Sequence, residues 1–366
     1  MNNLIAVAEQ FKPEGQVLDV QEYGCGNVND TFLVTLDSEK EKHFILQRIN
    51  TQVFRQPQLI MLNMRTFSEH VLERLKRESL GSGRRWEVPR IFLTHDGSDH
   101  FIDGGGAFWR ALSFIDASRS FERVESIEHA REVGHALGRF QSLISDLGTD
   151  KLYDTLEGFH IAPRYLLHYD EVLAGSGAWH RTPESDYCTR YVEERRKWVP
   201  VLEDAKGQNK LLLRPIHGDP KVNNIMIDEV TGQAVSIVDL DTVKPGLVHY
   251  DIGDCLRSCC NPLGEETEDF EAVHFETDLC QAILQGYLPL ARDFLDGNDY
   301  AYLCDGIRLI AFELGLRFFT DYLEGNVYFK ARHREHNLAR ALVQFKLAES
   351  IESQEAAIRA IIDDLI

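Results

Sequence analysis

The sequence predicts an α+β fold with two lobes, a small antiparallel sheet followed by a larger, mostly helical lobe. Three observations support this: strand-like segments and short turns fill the first third of the chain, helical periodicity dominates after about residue 115, and three short strand-like segments interrupt it between residues 213 and 239. Strands joined by short turns form antiparallel sheets. We therefore divide the chain into lobes at 1–114 and 115–366, with ligands expected in the cleft between them.

The first lobe begins with strand-like segments at 17–23, 31–36 and 43–49, separated by the glycine-rich turn GCGN and the charged turn DSEKEK. Apolar residues at helical spacing then predict a helix over 58–77. Two further segments resume strand character, which completes a small sheet with one helix. They lie at 88–94 and 107–114.

The second lobe opens with a helix predicted over 126–147, in which apolar residues recur at helical spacing. Short strand-like pieces follow at 213–216, 224–228 and 234–239. Amphipathic helices run from about residue 270 to the end of the sequence. The pattern therefore places a small hairpin inside a helical lobe.

Composition excludes some classes of partner. The 366 residues include 59 acidic and 39 basic side chains, which gives a formal net charge of −20. Such a field repels nucleic acid backbones and anionic membrane surfaces. We find neither an apolar run of 18 residues nor the pattern of a secretory signal, so we expect a cytoplasmic protein. The oligomeric state is left open.

The segment HGDPKVNN, residues 217–224, carries the strongest chemical signal. An Asp followed five residues later by an Asn, just before an apolar strand, has the spacing of a kinase catalytic loop. Asp219 would accept or orient the proton of the attacking hydroxyl, and Lys221 would neutralise charge on the transferring phosphoryl group. The side-chain oxygen of Asn224 would bind Mg²⁺, which prefers hard oxygen ligands. The alternative is a turn that only caps a strand.

A second carboxylate motif follows at the distance that a kinase requires. The apolar strand VSIVD ends at Asp239, which we assign as the second Mg²⁺ ligand. Asp241 is either linked to the metal or holds the loop. Asp251 and Asp254 open a predicted helix, where an Asp often caps the N-terminus. Together the two motifs predict a protein-kinase-like fold that uses Mg²⁺ and ATP.

The nucleotide loop is less distinctive. Gly24 and Gly26 begin a GxGxxG pattern, but Asn29 stands where the third glycine would be, and a strand follows instead of a helix. We assign these three residues to a loop over the ATP phosphates, although a tight hairpin turn would also need glycine. Arg48 is the cation available on the third strand to grip the phosphates, unless it is surface charge. Either Glu69 or Glu73 could pair with it.

These segments resemble the aminoglycoside phosphotransferase and choline kinase superfamily. The string IVDLDTVKPGLVHYDIGD after HGDPKVNN is the most specific part, and within the superfamily the likeness to N-acetylhexosamine 1-kinases is greatest. The resemblance covers most of the chain and implies Asp219 as base, with Asn224 and Asp239 as metal ligands. It also implies sugar contacts from Arg317 and Tyr328, which would otherwise read as a surface cation and a packed aromatic ring. Superfamily members often carry Lys near the position of Arg48.

The sequence therefore leaves three functional hypotheses. The first is a kinase that transfers the γ-phosphate of ATP to the anomeric hydroxyl of an N-acetylhexosamine, in carbohydrate metabolism. The second is a kinase of another small alcohol, such as an amino alcohol or homoserine. The third is a regulatory protein that binds a nucleotide without turnover, which would have little need for a catalytic carboxylate.

Overall fold

The computed structural model describes residues 2–11, 13–24, 28–77, 83–175 and 181–366. Its strands are β1 (Val17–Glu22), β2 (Asp30–Leu36), β3 (His43–Ile49), β4 (Ile91–Phe92), β5 (Phe101–Ile102), β6 (Phe108–Ser113), β7 (Ser118–Arg119), β8 (Arg214–Ile216), β9 (Ile225–Asp228), β10 (Ala234–Ile237) and β11 (Lys244–Gly246). Its helices are α1 (Asn2–Ala8), α2 (Pro57–Arg77), α3 (Ile127–Ile144), α4 (Ala162–Gly175), α5 (Pro183–Arg195), α6 (Val201–Gly207), α7 (Val248–Cys259), α8 (Thr277–Ala291), α9 (Gly297–Ala301), α10 (Leu303–Glu324), α11 (His336–Ser353) and α12 (Glu355–Leu365).

An antiparallel sheet forms the first lobe, in the order β1-β2-β3-β6-β4, with β5 also paired to β6. The predicted strands at 17–23, 31–36 and 43–49 are found within one residue of their expected ends. The predicted strand at 88–94 shrinks to the two residues of β4. The short helix α1 was not predicted. The predicted α+β class is confirmed.

The two faces of this sheet pack against different partners because side chains alternate along a strand. Phe44 and Leu46 of β3 join a core cluster with Val7 and Phe11 from the N-terminal segment. Ile45 and Ile49, on the opposite face of β3, pack instead with the large core cluster that includes α2. Each residue of β3 therefore faces one of two distinct environments.

The second lobe is helical around three short antiparallel pairings. β8 pairs with β11, while β9 pairs with both β10 and β7. The three predicted strands in this region correspond to β8, β9 and β10, but β10 ends at Ile237 and does not reach Asp239 as expected. The boundary between lobes at 114/115 remains a proposal. Within the described residues, no helix is long and apolar enough to cross a membrane.

Helices α3 and α8 approach closely because glycines lie at their contact. A Cβ added at Gly134 would lie 1.9 Å from the carbonyl oxygen of Ile283, and one added at Gly286 would lie 2.0 Å from that of Arg131. Backbone atoms of a neighbouring helix cannot move aside as a flexible side chain can. The close packing therefore depends on the absence of a side chain at these positions.

We predict that Gly134→Ala lowers the free energy of unfolding by about 1–3 kcal/mol, because α3 and α8 must move apart to make room for the added methyl group. Gly207→Ala is the matched control, since nothing lies within 4 Å of its added Cβ. Alanine is favoured over glycine in helices by up to about 1 kcal/mol, so the control should be neutral or stabilising. Urea unfolding measures both, and equal effects of the two substitutions would contradict the packing argument.

Candidate active site

Two hairpin pairings bring the predicted catalytic and metal-binding loops together. Ile225 of β9 lies opposite Ile237 of β10, and the backbone N–H of Val238 donates to the carbonyl oxygen of Asn224 at 2.8 Å. Lys244 of β11 lies opposite Ile216 of β8. The loop from His217 to Asn224 therefore runs beside the loop from Asp239 to Val243.

The backbone of the first loop is fixed by a buried carboxylate. Asp251 accepts hydrogen bonds from the backbone N–H groups of His217 (2.9 Å) and Gly218 (2.7 Å), and from Gln141 (2.9 Å). Gly218 adopts φ +88°, and a Cβ there would lie 2.7 Å from the carbonyl oxygen of Thr242. Only glycine fits both the positive φ and this close approach.

The expectation that Asp251 and Asp254 cap a helix was wrong. Helix α7 begins earlier, at Val248 with Leu247 as its N-cap residue. Asp251 instead holds the catalytic loop, and Asp254 forms an ion pair with Arg257 at 2.8 Å. Sequence reasoning missed the role of Asp251, although an Asp among apolar residues of a buried helix indicates a fixed polar partner.

Asp219, Lys221 and Asn224 form one connected group. The ammonium of Lys221 lies 2.9 Å from Oδ2 of Asp219, and both side chains remain about a quarter exposed, 30% and 26%. The amide nitrogen of Asn224 donates to the backbone carbonyl of Asp219 at 2.8 Å and to its Oδ2 at 3.2 Å. Since the nitrogen is engaged, the oxygen of Asn224 is the atom left for a ligand.

Burial opposes the charge on Lys221, but the negative charges of Asp219 and Asp239 raise its pKa overall. Lys221 therefore stays cationic at neutral pH. Its ammonium therefore places a positive charge directly beside the carboxylate of Asp219. A positive charge in this position is what a transferring phosphoryl group requires.

Asp239 is solvent-accessible and adopts a left-handed backbone conformation, φ 64° and ψ 62°. Desolvation by the surrounding protein and the charges of Asp241 and Asp219 raise its pKa to about 7, against the opposing effect of Lys221. No described residue donates a hydrogen bond to its carboxylate. A carboxylate in this state gains from a cation, and together with the free oxygen of Asn224 it supplies the hard donors that Mg²⁺ prefers.

Asp241, in contrast, is already engaged. It is buried, with Oδ1 2.5 Å from a guanidinium nitrogen of Arg110 and Oδ2 accepting from the side chain of Asn29 at 2.7 Å. Arg110 also donates to Oε1 of Gln47, at 2.9 and 2.7 Å. Of the two roles left open for Asp241, this geometry favours holding the loop. Asn29, expected at the nucleotide loop, reaches across to this carboxylate.

Arg48 lies on the opposite face of β3 from Gln47. Its Nε donates to Asp30 at 2.8 Å, and its guanidinium lies 5.8 Å from the ring centre of Trp109. Neither Glu69 nor Glu73 is its partner. Arg48 therefore points away from the contact between Gln47 and Arg110, because successive side chains of a strand face opposite sides. Its assignment as the phosphate-gripping cation stays a prediction.

The cation on the face nearest the metal loop is Arg110, which sequence reasoning missed. It is fully buried on β6, inside the otherwise apolar run FWRAL. A charge embedded in such a run was the available signal, because an unpaired buried cation would be costly.

Of the two glycines assigned to the nucleotide loop, Gly24 adopts a positive φ of +74°, as a tight turn requires. Gly26 lies outside the described residues.

The structure brings Arg317 and Tyr328 together. Arg317 lies on α10, Tyr328 on the loop beyond it, and the guanidinium is 5.8 Å from the tyrosine ring centre. Three further rings surround the same guanidinium, those of Phe159 (5.1 Å), Tyr165 (4.9 Å) and Phe329 (5.3 Å). Among the described residues, no carboxylate lies within 4 Å of it, although the charges of Glu313 and, more weakly, Asp219 influence it.

The loop that carries Tyr328 is fixed by one carboxylate. Asp321 accepts from the backbone N–H groups of Val327 (2.8 Å), Tyr328 (2.7 Å) and Phe329 (3.0 Å), and from the side chain of Asn337 (2.8 Å). Four charge-assisted hydrogen bonds define the loop beside Arg317.

Comparison with known proteins now identifies the family. The model of the phosphotransferase enzyme family matches residues 19–291, more than half of the chain. The chain belongs to the phosphotransferase enzyme family. It is thus an enzyme, a small-molecule kinase with an alcohol group as acceptor, and the hypothesis of a silent nucleotide-binding protein is wrong.

Solved structures show the same fold at low sequence identity. An aminoglycoside phosphotransferase from Alicyclobacillus acidocaldarius matches with TM-score 0.64 and 14% identity, over 98% of this chain and 96% of that one. A microcompartment-associated aminopropanol kinase matches with TM-score 0.62 and 15% identity, over 98% of both chains. A choline kinase from Cryptosporidium parvum matches with TM-score 0.60 and 14% identity, over 100% and 99%. The resemblance to this superfamily is confirmed at the level of the family.

For this phosphotransferase we predict that Asp239→Asn raises the melting temperature of the Mg²⁺-free protein. Because folding raises the pKa of Asp239 from its ordinary 3.8 to about 7, ionisation costs the folded state stability. That cost grows from about pH 4 to pH 7 and is constant above, so the gain in the variant should follow the same course.

Asp228→Asn is the matched control with the opposite sign. Hydrogen bonds from Thr231 and Val230 lower the pKa of Asp228 to about 2. Its charge therefore stabilises the folded state at neutral pH, and this contribution disappears as the pH falls through about 2. The control should melt at a lower temperature. A lower melting temperature for Asp239→Asn as well would show that Asp239 is not crowded by like charge.

Proposed function

We propose that this phosphotransferase transfers the γ-phosphate of ATP to the anomeric hydroxyl of a hexose, most specifically an N-acetylhexosamine. The observation that carries the proposal is Arg317, a guanidinium with no carboxylate within 4 Å among the described residues, although the charges of Glu313 and Asp219 influence it. Its N–H groups are available to hydroxyl and amide oxygens of a neutral acceptor.

Three residues divide the work of phosphoryl transfer in this proposal. Asp219 accepts the proton of the acceptor hydroxyl as the new oxygen–phosphorus bond forms and the bond to ADP breaks. Lys221 moves from the Asp219 carboxylate, 2.9 Å away, to the transferring phosphoryl oxygens. Gly24 and Asn29, with Gly26 by its position in the sequence, are assigned to the loop proposed to cover the nucleotide.

Asn224 and Asp239 would hold Mg²⁺. The free amide oxygen and the crowded carboxylate described above support this assignment. When bound, the ion neutralises charge on the phosphates and fixes their position. Arg110 is proposed to act only through Asp241, since it is fully buried and paired with Asp241 and Gln47.

The aromatic rings around Arg317 favour a neutral acceptor over a cationic one. Clusters of aromatic rings bind quaternary ammonium groups through cation–π interactions. Here the four rings already surround the guanidinium of Arg317. A cationic amino alcohol would have to enter a position that another positive charge occupies, whereas a sugar could donate and accept hydrogen bonds there.

A kinase of amino alcohols remains the second candidate. Two buried carboxylate oxygens, Oδ2 of Asp254 and Oε2 of Glu313, have no hydrogen-bond partner within the described part of the chain. Both carboxylates lie in the same lobe as Arg317, and unpaired carboxylate oxygens attract ammonium groups. Two solved structures of this fold are named as an aminopropanol kinase and a choline kinase, and both names denote amino alcohols as acceptors.

A panel of acceptors distinguishes the two candidates. ADP release with Mg-ATP should be strongest with N-acetylglucosamine or N-acetylgalactosamine, and weak with choline, ethanolamine and homoserine. Phosphorus NMR should show a sugar 1-phosphate, and the 1-O-methyl glycoside should not react. Asp219→Asn serves as the activity control, with a loss of about 10²–10⁴-fold. Equal use of the methyl glycoside would refute anomeric transfer, and use of amino alcohols alone would refute the sugar.

We predict that Arg317→Ala lowers kcat/KM for the sugar by about 10²-fold or more, because the hydroxyl groups it binds lose their partner. KM for ATP should change little. Arg332→Ala removes an exposed cation from the neighbouring loop and is the matched control, since its side chain is 77% exposed. Steady-state kinetics with both substrates tests this, and a loss confined to ATP would place Arg317 at the nucleotide instead.

A further inference from the structure

His160 occupies a conformation that a histidine seldom adopts. It is buried, with φ +66°, in the left-handed region. Such a backbone persists only where the surroundings determine it strongly. Lys244 supplies part of that constraint, because its buried ammonium binds the side chain of Asp154 (3.0 Å) and the carbonyl oxygen of Phe159 (3.1 Å).

Both ring nitrogens of His160 face hydrogen-bond acceptors. Nε2 lies 2.7 Å from the carbonyl oxygen of Gly218, and Nδ1 lies 3.0 Å from Oε1 of Glu313. A neutral imidazole has one N–H and cannot donate to both. The pair of His160 and Glu313 must therefore hold one proton more than a neutral imidazole beside a carboxylate. We assign this proton to the imidazole, the stronger base of the two.

The contact at Gly218 reaches the catalytic loop directly. Gly218 precedes Asp219, its N–H is held by Asp251 at 2.7 Å, and its carbonyl is held by His160. Thus the peptide groups before and after Gly218 are each held by a buried side chain. We propose that the His160–Glu313 pair is a protonated positioning device that orients Asp219 for phosphoryl transfer and links the catalytic loop to α10, which carries Arg317.

The charged neighbours of the pair are consistent with the extra proton. Burial opposes a charge on His160, but the Glu313 carboxylate and Asp254 of α7 raise its pKa overall. The ring of Tyr250, also on α7, stacks on the imidazole at 5.3 Å.

Glu313 in turn interacts electrostatically with Arg317 on its own helix, with Lys244 of β11 and with Tyr165 of α4. A raised pKa means that the protonated pair is present below that pKa and is lost as the pH rises through it.

The substitution Glu313→Gln distinguishes the effect of the extra proton from the effect of the two hydrogen bonds. Its amide N–H can donate to Nδ1 of a neutral His160, whose Nε2–H still donates to Gly218, so both contacts survive without the extra proton. We expect kcat of the wild type to fall at alkaline pH, and this fall to be absent from Glu313→Gln. Glu313→Ala and His160→Ala should lower kcat about 10- to 100-fold by displacing Asp219, with KM for ATP nearly unchanged.

The proton itself is measured by NMR of protein labelled with carbon-13 histidine, in which the His160 signal is assigned by its loss in His160→Ala. It should titrate above the ordinary value of about 6.5 in the wild type and below it in Glu313→Gln. If His160→Ala does not fold, His160→Gln assigns the signal. Titration at or below the ordinary value in the wild type would overturn the proposal, as would identical alkaline profiles in the wild type and Glu313→Gln.

The inference rests on phosphotransferase activity but not on the acceptor's identity. The NMR titration needs no acceptor, and kinetics can use N-acetylglucosamine or, if only an amino alcohol reacts, choline. Failure of the sugar proposal is therefore distinguishable from failure of the positioning proposal.

Discussion

The carboxylate of Asp241 is the contact on which the arrangement of the active site depends. From the second lobe it binds Arg110 of β6 and Asn29 of the loop before β2, so the sheet of the first lobe is tied to the loop that carries Asp239. Removing one partner of a buried ion pair typically costs about 3–5 kcal/mol, because the other charge is left uncompensated. The contact also explains why Asp241 is buried and paired, whereas Asp239, two residues earlier, has no hydrogen-bond donor among the described residues.

Negative charge is concentrated where the phosphoryl group would be transferred. Asp219, Asp239 and Asp241 lie close enough to influence one another, and Lys221 and Arg110 offset only part of that repulsion. Such crowding disfavours the folded protein on its own, and the Mg²⁺ ion proposed above for Asn224 and Asp239 would relieve it. A strained electrostatic arrangement of this kind is typical of functional sites.

Hydrogen bonds from three separate segments hold the backbone of the proposed catalytic loop. Asp251 holds two successive N–H groups, His160 holds the following carbonyl, and the side chain of Thr242 donates to the carbonyl of His217 at 2.9 Å. These partners come from α7, from the segment before α4 and from the turn before β11. The loop is therefore a point where three parts of the helical lobe meet.

The sequence by itself determined the α+β class, most strand positions and the candidate residues Asp219, Asn224 and Asp239, because these signals are local: alternation along a strand, and a fixed spacing between a carboxylate and an amide. It could not determine whether Arg48 or Arg110 faces the loop that carries Asp239. The register of the strands decides this, because a shift of one residue moves every side chain to the opposite face of the sheet. The contacts of Asp241, Asp251 and His160 were also decided only by tertiary structure. Each depends on partners between 33 and 212 residues away in the chain, and local sequence carries no record of such distances.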